Sequence, residues 1–313
     1  MKMIPEEVFG TAGGKDATTK YKELARKVHP DICKETNAQE MFLQLQEAYK
    51  NFQDREAKNL LRDVSKGVIG EAKDILFTNG KSYYEFPITY VSEARAKKLT
   101  NEKITHPSIK VQEKISPLLP ITPFVYKRGG DIIQFEVNHS PDFYPLSLVK
   151  KAYPNMEDRD KLWIMSALHN IACWFQVSDK VHLDMNDNTI FVNPINHDVA
   201  VYGGWWFVTE RGSPLKEIPV ATYKLLPFSI KNDKIAHSGI MTLEIKKIIC
   251  DLGIDSLPKG MVSYIRDNVA EKPTDAYTKW EKDILPLYGP RKFFQDGLTK
   301  AFADRKAKSQ IRL

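Results

Sequence analysis

A chain of 313 residues, 42% hydrophobic and 11% aromatic, has apolar material for a buried core and room for two or three domains. Its net charge of +6 permits contact with acidic proteins or nucleic acid without requiring either. Three widely separated cysteines, Cys33, Cys173 and Cys250, argue against a disulfide framework and for a reducing, cytoplasmic setting. No CxxC or HExxH spacing occurs, so no metal site is expected. Residues 1–7 lack the apolar stretch of a signal peptide. The most apolar run, residues 162–175, is interrupted by His169 and Asn170 and is shorter than the roughly 20 residues a membrane span needs. It reads as a buried core helix, with His169 a satisfied core histidine, and no membrane contact is expected.

The first elements are helical. A short helix is expected near residues 5–9. In residues 17–28 the apolar Tyr21, Leu24, Ala25 and Val28 recur at helical spacing, with Lys20, Lys22, Arg26 and Lys27 on the remaining surface. Residues 37–52 repeat the pattern with Phe42, Leu45, Ala48, Tyr49 and Phe52, and Thr36/Gln39 and Asn37/Glu40 have capping-box spacing. Between the two helices stands His29-Pro30-Asp31. A bare tripeptide of this kind is an ordinary Pro-initiated turn. Here "YKELARKVHPD" followed by "AQEMFLQLQEAY" resembles the second helix, loop and third helix of the J-domain of DnaJ-type co-chaperones, in order and spacing. The resemblance implies that His29, Pro30 and Asp31, with Lys20, Lys22, Arg26 and Lys27, dock on a DnaK-type chaperone and stimulate its ATP hydrolysis. Cations on such a face suit an acidic partner.

Residues 53–66 are expected to continue as a helical connector. A hairpin follows at 74–77 and 82–86 around Thr78-Asn79-Gly80-Lys81, the strongest short-range hairpin signal. A helical segment at 92–103 and a second hairpin at 124–127 and 132–137 come next. Thereafter the chain is mainly helical, clearest at 162–177, with a strand pair at 189–192 and 199–202 and helices at 238–250, 261–269 and 274–286. Trp205-Trp206 beside that strand pair reads as core. The basic tail, 291–313, is expected to be peripheral.

Hairpins with one helix, then a larger helical lobe holding a strand pair, form an α+β, two-lobed pattern. It resembles a protein-kinase fold. In "VHLDMNDNTIFV" the His182-x-Asp184 pattern lies between the apolar helix and a strand, where the family places its catalytic loop. Asp184 then stands in the place of the catalytic Asp, and Asn188 or Asp187 is the nearest metal-holding candidate, Thr189 occupying the family's Asn position. The alternative is that Asp184 only holds its loop together. The expected metal-binding carboxylate at 202–204 is absent, the sequence being Tyr202-Gly203-Gly204. Gly67 and Gly70 could be remains of a nucleotide-holding glycine loop, though G-x-x-G is common in plain turns. The third strand lacks its Lys, with Glu85 nearest that place, and Lys81 and Arg95 read as solvated surface. Phosphoryl transfer depends on positioned charge, so these losses resemble a pseudokinase.

The runs "FVNPINHDVAVYGGWWF" and "DAYTKWEKDILPLYGPRKF" also resemble a group of bacterial and phage proteins joining a J-domain to a degenerate kinase-like domain, over residues 4–294. The expected organisation is a short helical J-domain at 1–52, a connector at 53–66, a kinase-like N-lobe at 67–140, a C-lobe at 141–290 and a tail at 291–313. The expected activity is co-chaperone action on a DnaK-type chaperone, with the kinase-like part a catalytically silent platform for a client or partner protein. No cofactor is expected; ATP and Mg enter only under the alternative of an atypical kinase using Asp184. Nucleic-acid binding through the tail ranks last.

Overall fold

The computed structural model describes residues 14–62, 68–72, 75–78, 80–91, 93, 95–97, 108–119, 125–290 and 298. Helices α1, Gly14–Val28, and α2, Ala38–Arg62, pack side by side. Tyr21 stacks on Tyr49 at 4.2 Å between centroids and His29 meets Phe42 edge-on at 5.1 Å, so the pairing runs in opposite directions and the hairpin is antiparallel. Leu45 and Ala48 are its buried centre, ringed by Tyr21, Leu24, Ala25, Val28 and Tyr49. This is the apolar stripe that the spacing of those residues implied, and it forms a cluster of its own, apart from the main core. α2 contains neither Gly nor Pro and continues unbroken to Arg62, so most of the expected connector belongs to the hairpin itself. The short helix expected at 5–9 lies outside the described residues.

Five antiparallel strands follow: β1 (Val68–Ala72), β2 (Ile75–Thr78), β3 (Lys81–Pro87), β4 (Val125–Gly129) and β5 (Ile132–Asn138). Their order in the sheet is β1-β2-β3-β5-β4. Gly80 and Gly130 take positive φ in the two tight turns, as the Asn-Gly and Gly-Gly signals required. α2 runs beside β4, the sheet's edge strand, so the helical hairpin is seated there. β1 was not anticipated. Its Gly70 pairs with Phe77 inside the strand and is not part of a phosphate-cradling loop, while Gly67 lies outside the described residues.

Between β3 and β4 the chain is helical at Glu93 and at Arg95, Ala96 and Lys97. An unforeseen helix α3, Ile109–Ile115, follows, and runs into a 3-10 turn, Ser116–Leu118. The rest is mainly helical: α4 (Leu146–Ala152), α5 (Asp158–Val177), α6 (Val220–Leu225), α7 (Phe228–Asp233), α8 (Gly239–Asp251), α9 (Lys259–Arg266) and α10 (Pro273–Lys279). Short strands decorate this body. β6 (Tyr144–Pro145), β8 (Ile190–Asn193) and β9 (Asp198–Val201) form one sheet, and β7 (Lys180–Val181) pairs with β10 (Thr209–Glu210).

α5 is buried among α8, α10 and β9, which explains why its sequence is apolar on nearly every side. His169 on α5 is core, but it is not satisfied: neither ring nitrogen has a hydrogen-bond partner among the described residues. Burial holds its pKa down at about 3, so it stays neutral. One hydrophobic cluster runs continuously from the sheet into the helical body. Leu298 of the basic tail is buried and donates its N–H to Asp160, so the tail is not wholly peripheral. Among the described residues no helix is long and apolar enough to cross a membrane.

Candidate functional site

Two groups of predicted site residues occupy different places. The first is the tip of the α1–α2 hairpin. The carbonyl of His29 accepts the N–H groups of Ile32 and Cys33, at 2.9 and 2.8 Å, which closes the turn. Its Nδ1 accepts the N–H of Asp31 at 3.2 Å, leaving Nε2 to carry the proton of the neutral ring. Phe42 of α2 supports the ring from the side. The His29 side chain is 42% exposed and that of Asp31 86%, so imidazole and carboxylate are both presented to solvent. Lys20, Lys22, Arg26 and Lys27 are exposed along α1, and Lys22 and Arg26, four residues apart, share its outward side. Arg26 and Lys27 stand in the last turn, where cations complement the helix dipole. Ile32 and Leu43, both exposed, add apolar surface around the tip. The tip is thus a turn closed by its own backbone, with an exposed imidazole and carboxylate beside a basic helix face.

The second place is the loop between β7 and β8, where Asp184 stands. The loop binds itself tightly. Asn186 donates from Nδ2 to Asp184 Oδ1 at 2.8 Å and accepts the N–H of Asn188 at 2.9 Å. Thr189 Oγ1 donates to the Asp184 carbonyl at 2.7 Å and accepts the Asn186 N–H at 2.9 Å. Asn186 was not singled out from sequence, although an Asx-type turn was open to it. His182 accepts the Asp184 N–H on Nδ1 and therefore donates from Nε2 to the Gly203 carbonyl, at 3.1 Å. Burial keeps it neutral, with a pKa near 4. Asp187 is held by Lys150 at 3.0 Å, and Asn188 gives its carbonyl to the Tyr84 hydroxyl at 2.9 Å. The structure thus brings Asp184 and Asn188 onto one loop and turns the Asn188 backbone carbonyl toward the sheet.

What faces this loop from the sheet is Tyr84. Strand alternation puts Ser82, Tyr84 and Phe86 on one side of β3 and Glu85 on the other, so Glu85 does not stand in the place first assigned to it. Tyr84, Phe86 and Phe135 of the sheet close around Trp206, with centroids 4.9, 5.1 and 4.8 Å away. Aromatic rings therefore fill the space between sheet and loop. Gly203 and Gly204 follow from that filling. A Cβ on Gly203 would lie 2.5 Å from the Tyr84 hydroxyl oxygen, and one on Gly204 2.5 Å from His182 Cε1. Gly204 also takes φ +76°. A metal-binding carboxylate at either position is sterically excluded.

Of the two cations expected on solvated surface, Lys81 is exposed as expected and Arg95 is drawn partly inward. Lys81 pairs with Glu136. Arg95 donates from Nε to the Trp206 carbonyl at 2.9 Å and from Nη2 to the Val208 carbonyl, pinning the segment after Gly204 to the helical turn behind β3. Trp205 and Trp206 are core, as their place beside the strand pair implied.

Asp184 also lines a cavity of about 150 Å³. Thr222 of α6 and Glu244 of α8, neither of which stood out in the sequence, line it too. The available signal was a lone acid in the run Ile240–Ile245, where Thr242 is the one other polar residue. Burial raises the Asp184 pKa to about 8, against the Asn186 hydrogen bond. Burial, and then Asp184 itself, raises Glu244 well above the carboxylate range. An acid raised on folding contributes stability below its unfolded pKa near 3.8 and loses it as pH climbs through about 8. Asp184→Asn is therefore expected to gain on wild type with rising pH, by about 3–4 kcal/mol between pH 5 and pH 8. Paired urea denaturation curves at the two pH values measure this, and a pH-independent difference contradicts it. Among the described residues no group of His, Cys, Asp and Glu is placed to hold a metal ion.

Residues 8–61 match the DnaJ domain family. The match runs beyond residue 52 along α2, in keeping with the unbroken helix. The chain is similar to the curved DNA-binding protein of Coxiella burnetii, strains Dugway 5J108-111, RSA 331 / Henzerling II and RSA 493 / Nine Mile phase I. Each is 43% identical over 47 residues, 15% of this chain and 15% of the relative. The chain thus spans about 15% of the length of the curated relatives it matches. The N-terminal hairpin belongs to a DnaJ domain.

Proposed function

We propose that this protein recruits a DnaK-type chaperone through its DnaJ domain and stimulates, or captures, it. The remaining body acts as a catalytically silent platform for a client or partner. The observation that carries the reading is the intact, solvent-presented His29-Pro30-Asp31 tip backed by Lys20, Lys22, Arg26 and Lys27. The body is read as kinase-like. The strand order β1-β2-β3-β5-β4, the helical segment between β3 and β4, and the place of His182-x-Asp184 after the buried helix support that reading. Its silence is supported by Tyr84 and Trp206 filling the space next to the Asp184 loop, and by the absence of room for a carboxylate at Gly203. A cytoplasmic setting accords with three free thiols.

The test is steady-state ATP hydrolysis by a bacterial DnaK-type chaperone. Wild-type protein is expected to stimulate it and His29→Gln to lose at least about tenfold of that stimulation, as a hot-spot contact at the centre of a small interface would. Full stimulation by His29→Gln refutes the reading. A second reading, an atypical kinase, is favoured by the retained and partly accessible Asp184 carboxylate. Hydrolysis by the chain alone, abolished in Asp184→Ala, would establish that reading instead.

A further inference from the structure

Helices α6 and α7 carry an apolar surface that is open to solvent. Phe228 is 78% exposed, the most exposed large apolar side chain among the described residues, and Val220 and Tyr223 are 62% and 48% exposed. The three form one patch. Val220 and Tyr223 stand three residues apart on α6 and share a side of it, and Phe228 and Lys231 do the same on α7. Lys231 Nζ lies 5.2 Å from the centre of the Tyr223 ring, which joins the two sides.

The outward setting is enforced from beneath. Thr222 is buried with its Oγ1 2.9 Å from the Leu183 carbonyl, and Leu226 and Ile230 belong to the main core. Pro219 and Pro227 precede the two helices, and their carbonyls accept the N–H groups of Tyr223 and Lys231 at 2.9 and 3.2 Å. Proline fixes φ at each entry, so a partner would meet this surface already ordered. A surface helix ordinarily turns its apolar residues to the core. A contiguous exposed set is the mark of an interaction surface.

Charge indicates what covers it. Residues 214–235 carry Lys216, Lys224, Lys231 and Lys234 against Glu217 and Asp233. Asp233 is paired with His237 at 3.4 Å, whereas none of the four lysines has a carboxylate partner among the described residues. Lys224, four residues after Val220, lies on the same side of α6. A second copy of this chain would set lysines against lysines, and the basic residues of the tail would be repelled in the same way.

We propose that this surface docks an acidic amphipathic segment of the client or partner protein. Its apolar side chains cover Val220, Tyr223 and Phe228, and its carboxylates reach Lys224 and Lys231. The proposal rests on the reading of the body as a platform and names the chemistry of what the platform holds.

The experiment is fluorescence anisotropy on the full chain with a fluorescein-labelled peptide of about 14 residues, Leu at helical spacing and Glu elsewhere. Saturable binding with a Kd below about 1 mM is expected, at least about tenfold tighter than for the same peptide with Lys in place of Glu. Phe228→Ser should weaken it about tenfold, as loss of an interface anchor does. Lys224→Glu combined with Lys231→Glu should remove the preference for the Glu peptide. All three side chains point to solvent, so the variants are expected to unfold in urea as wild type does. No saturable binding at about 1 mM, equal binding of the two peptides, or indifference to both variants overturns the proposal. Two further results also overturn it. Self-association in sedimentation velocity that Phe228→Ser abolishes would assign the patch to a second copy. Binding to phosphatidylserine vesicles that Phe228→Ser abolishes would assign it to a membrane surface. His29→Gln is expected to keep peptide binding and Phe228→Ser to keep chaperone stimulation, so failure of this surface and failure of chaperone recruitment show separately.

Discussion

Trp206→Ala is expected to remove about 3–5 kcal/mol of folding stability, the range for truncating a fully buried aromatic side chain. Trp206 is 1% exposed and lies flat on Phe135, with an interplanar angle of 11°. Tyr84 and Phe86 flank it, so three rings from two strands lose their common partner. The Arg95 bond to the carbonyl of residue 206 is made by the backbone and survives the substitution, so the segment stays in place and the hollow cannot readily collapse. The loss is a large part of the roughly 5–15 kcal/mol by which domains are stable. Trp206→Phe should cost much less. It keeps an aromatic face and removes an indole N–H that has no acceptor among the described residues. Urea denaturation followed by circular dichroism checks both. A cost below about 1 kcal/mol for the alanine variant would mean that the cluster is not a packed core.

Gly203→Ala carries the second large effect. Its Cβ would lie 2.5 Å from the Tyr84 hydroxyl oxygen, 2.8 Å from Tyr84 Cζ and 3.0 Å from Thr189 Cα. Tyr84 cannot step aside: it is wholly buried, its hydroxyl is bonded to the Asn188 carbonyl, and its ring is held by Phe77 and Trp206. Overpacking against such a wall costs about 1–3 kcal/mol, and the upper end is expected here. A double-mutant cycle isolates the cause. In a Tyr84→Ala background the same Gly203→Ala change should cost about 1–2 kcal/mol less, because the ring has gone and only Thr189 remains close. Additive costs would place the strain elsewhere. Gly203→Asp, with a larger side chain in the same place, is expected to cost at least as much as Gly203→Ala.

The helical hairpin was legible from residue order because its information is local. Tyr21, Leu24, Ala25 and Val28 recur at helical spacing, and the same spacing buries Leu45 and Ala48 opposite them. His29-Pro30-Asp31 needs only its neighbours to form: the turn closes on the His29 carbonyl within four residues. The hairpins at Gly80 and Gly130 were legible for the same reason, since a two-residue turn with positive φ is written into the residues themselves. The two-residue strands were not, because each pairs with a partner distant in sequence and is too short to carry a periodicity of its own; β1, with Gly70 at its centre, has too little alternation to read as a strand.

The second site divides along the same line. Sequence order alone placed Asp184 in a loop after a buried helix, and showed that no carboxylate stands at 202–204. Why none can stand there was decided by Tyr84, more than a hundred residues away, whose hydroxyl lies where a Gly203 side chain would begin. Thr222 Oγ1, within hydrogen-bond distance of both the Leu183 carbonyl and Glu244 Oε1, likewise ties α8 to the Asp184 loop some sixty residues earlier. Side-chain identity and spacing determine which helices and turns can form. Which buried groups lack partners is a property of the packed three-dimensional surface, where desolvation and close contact act between residues that the chain itself does not bring together.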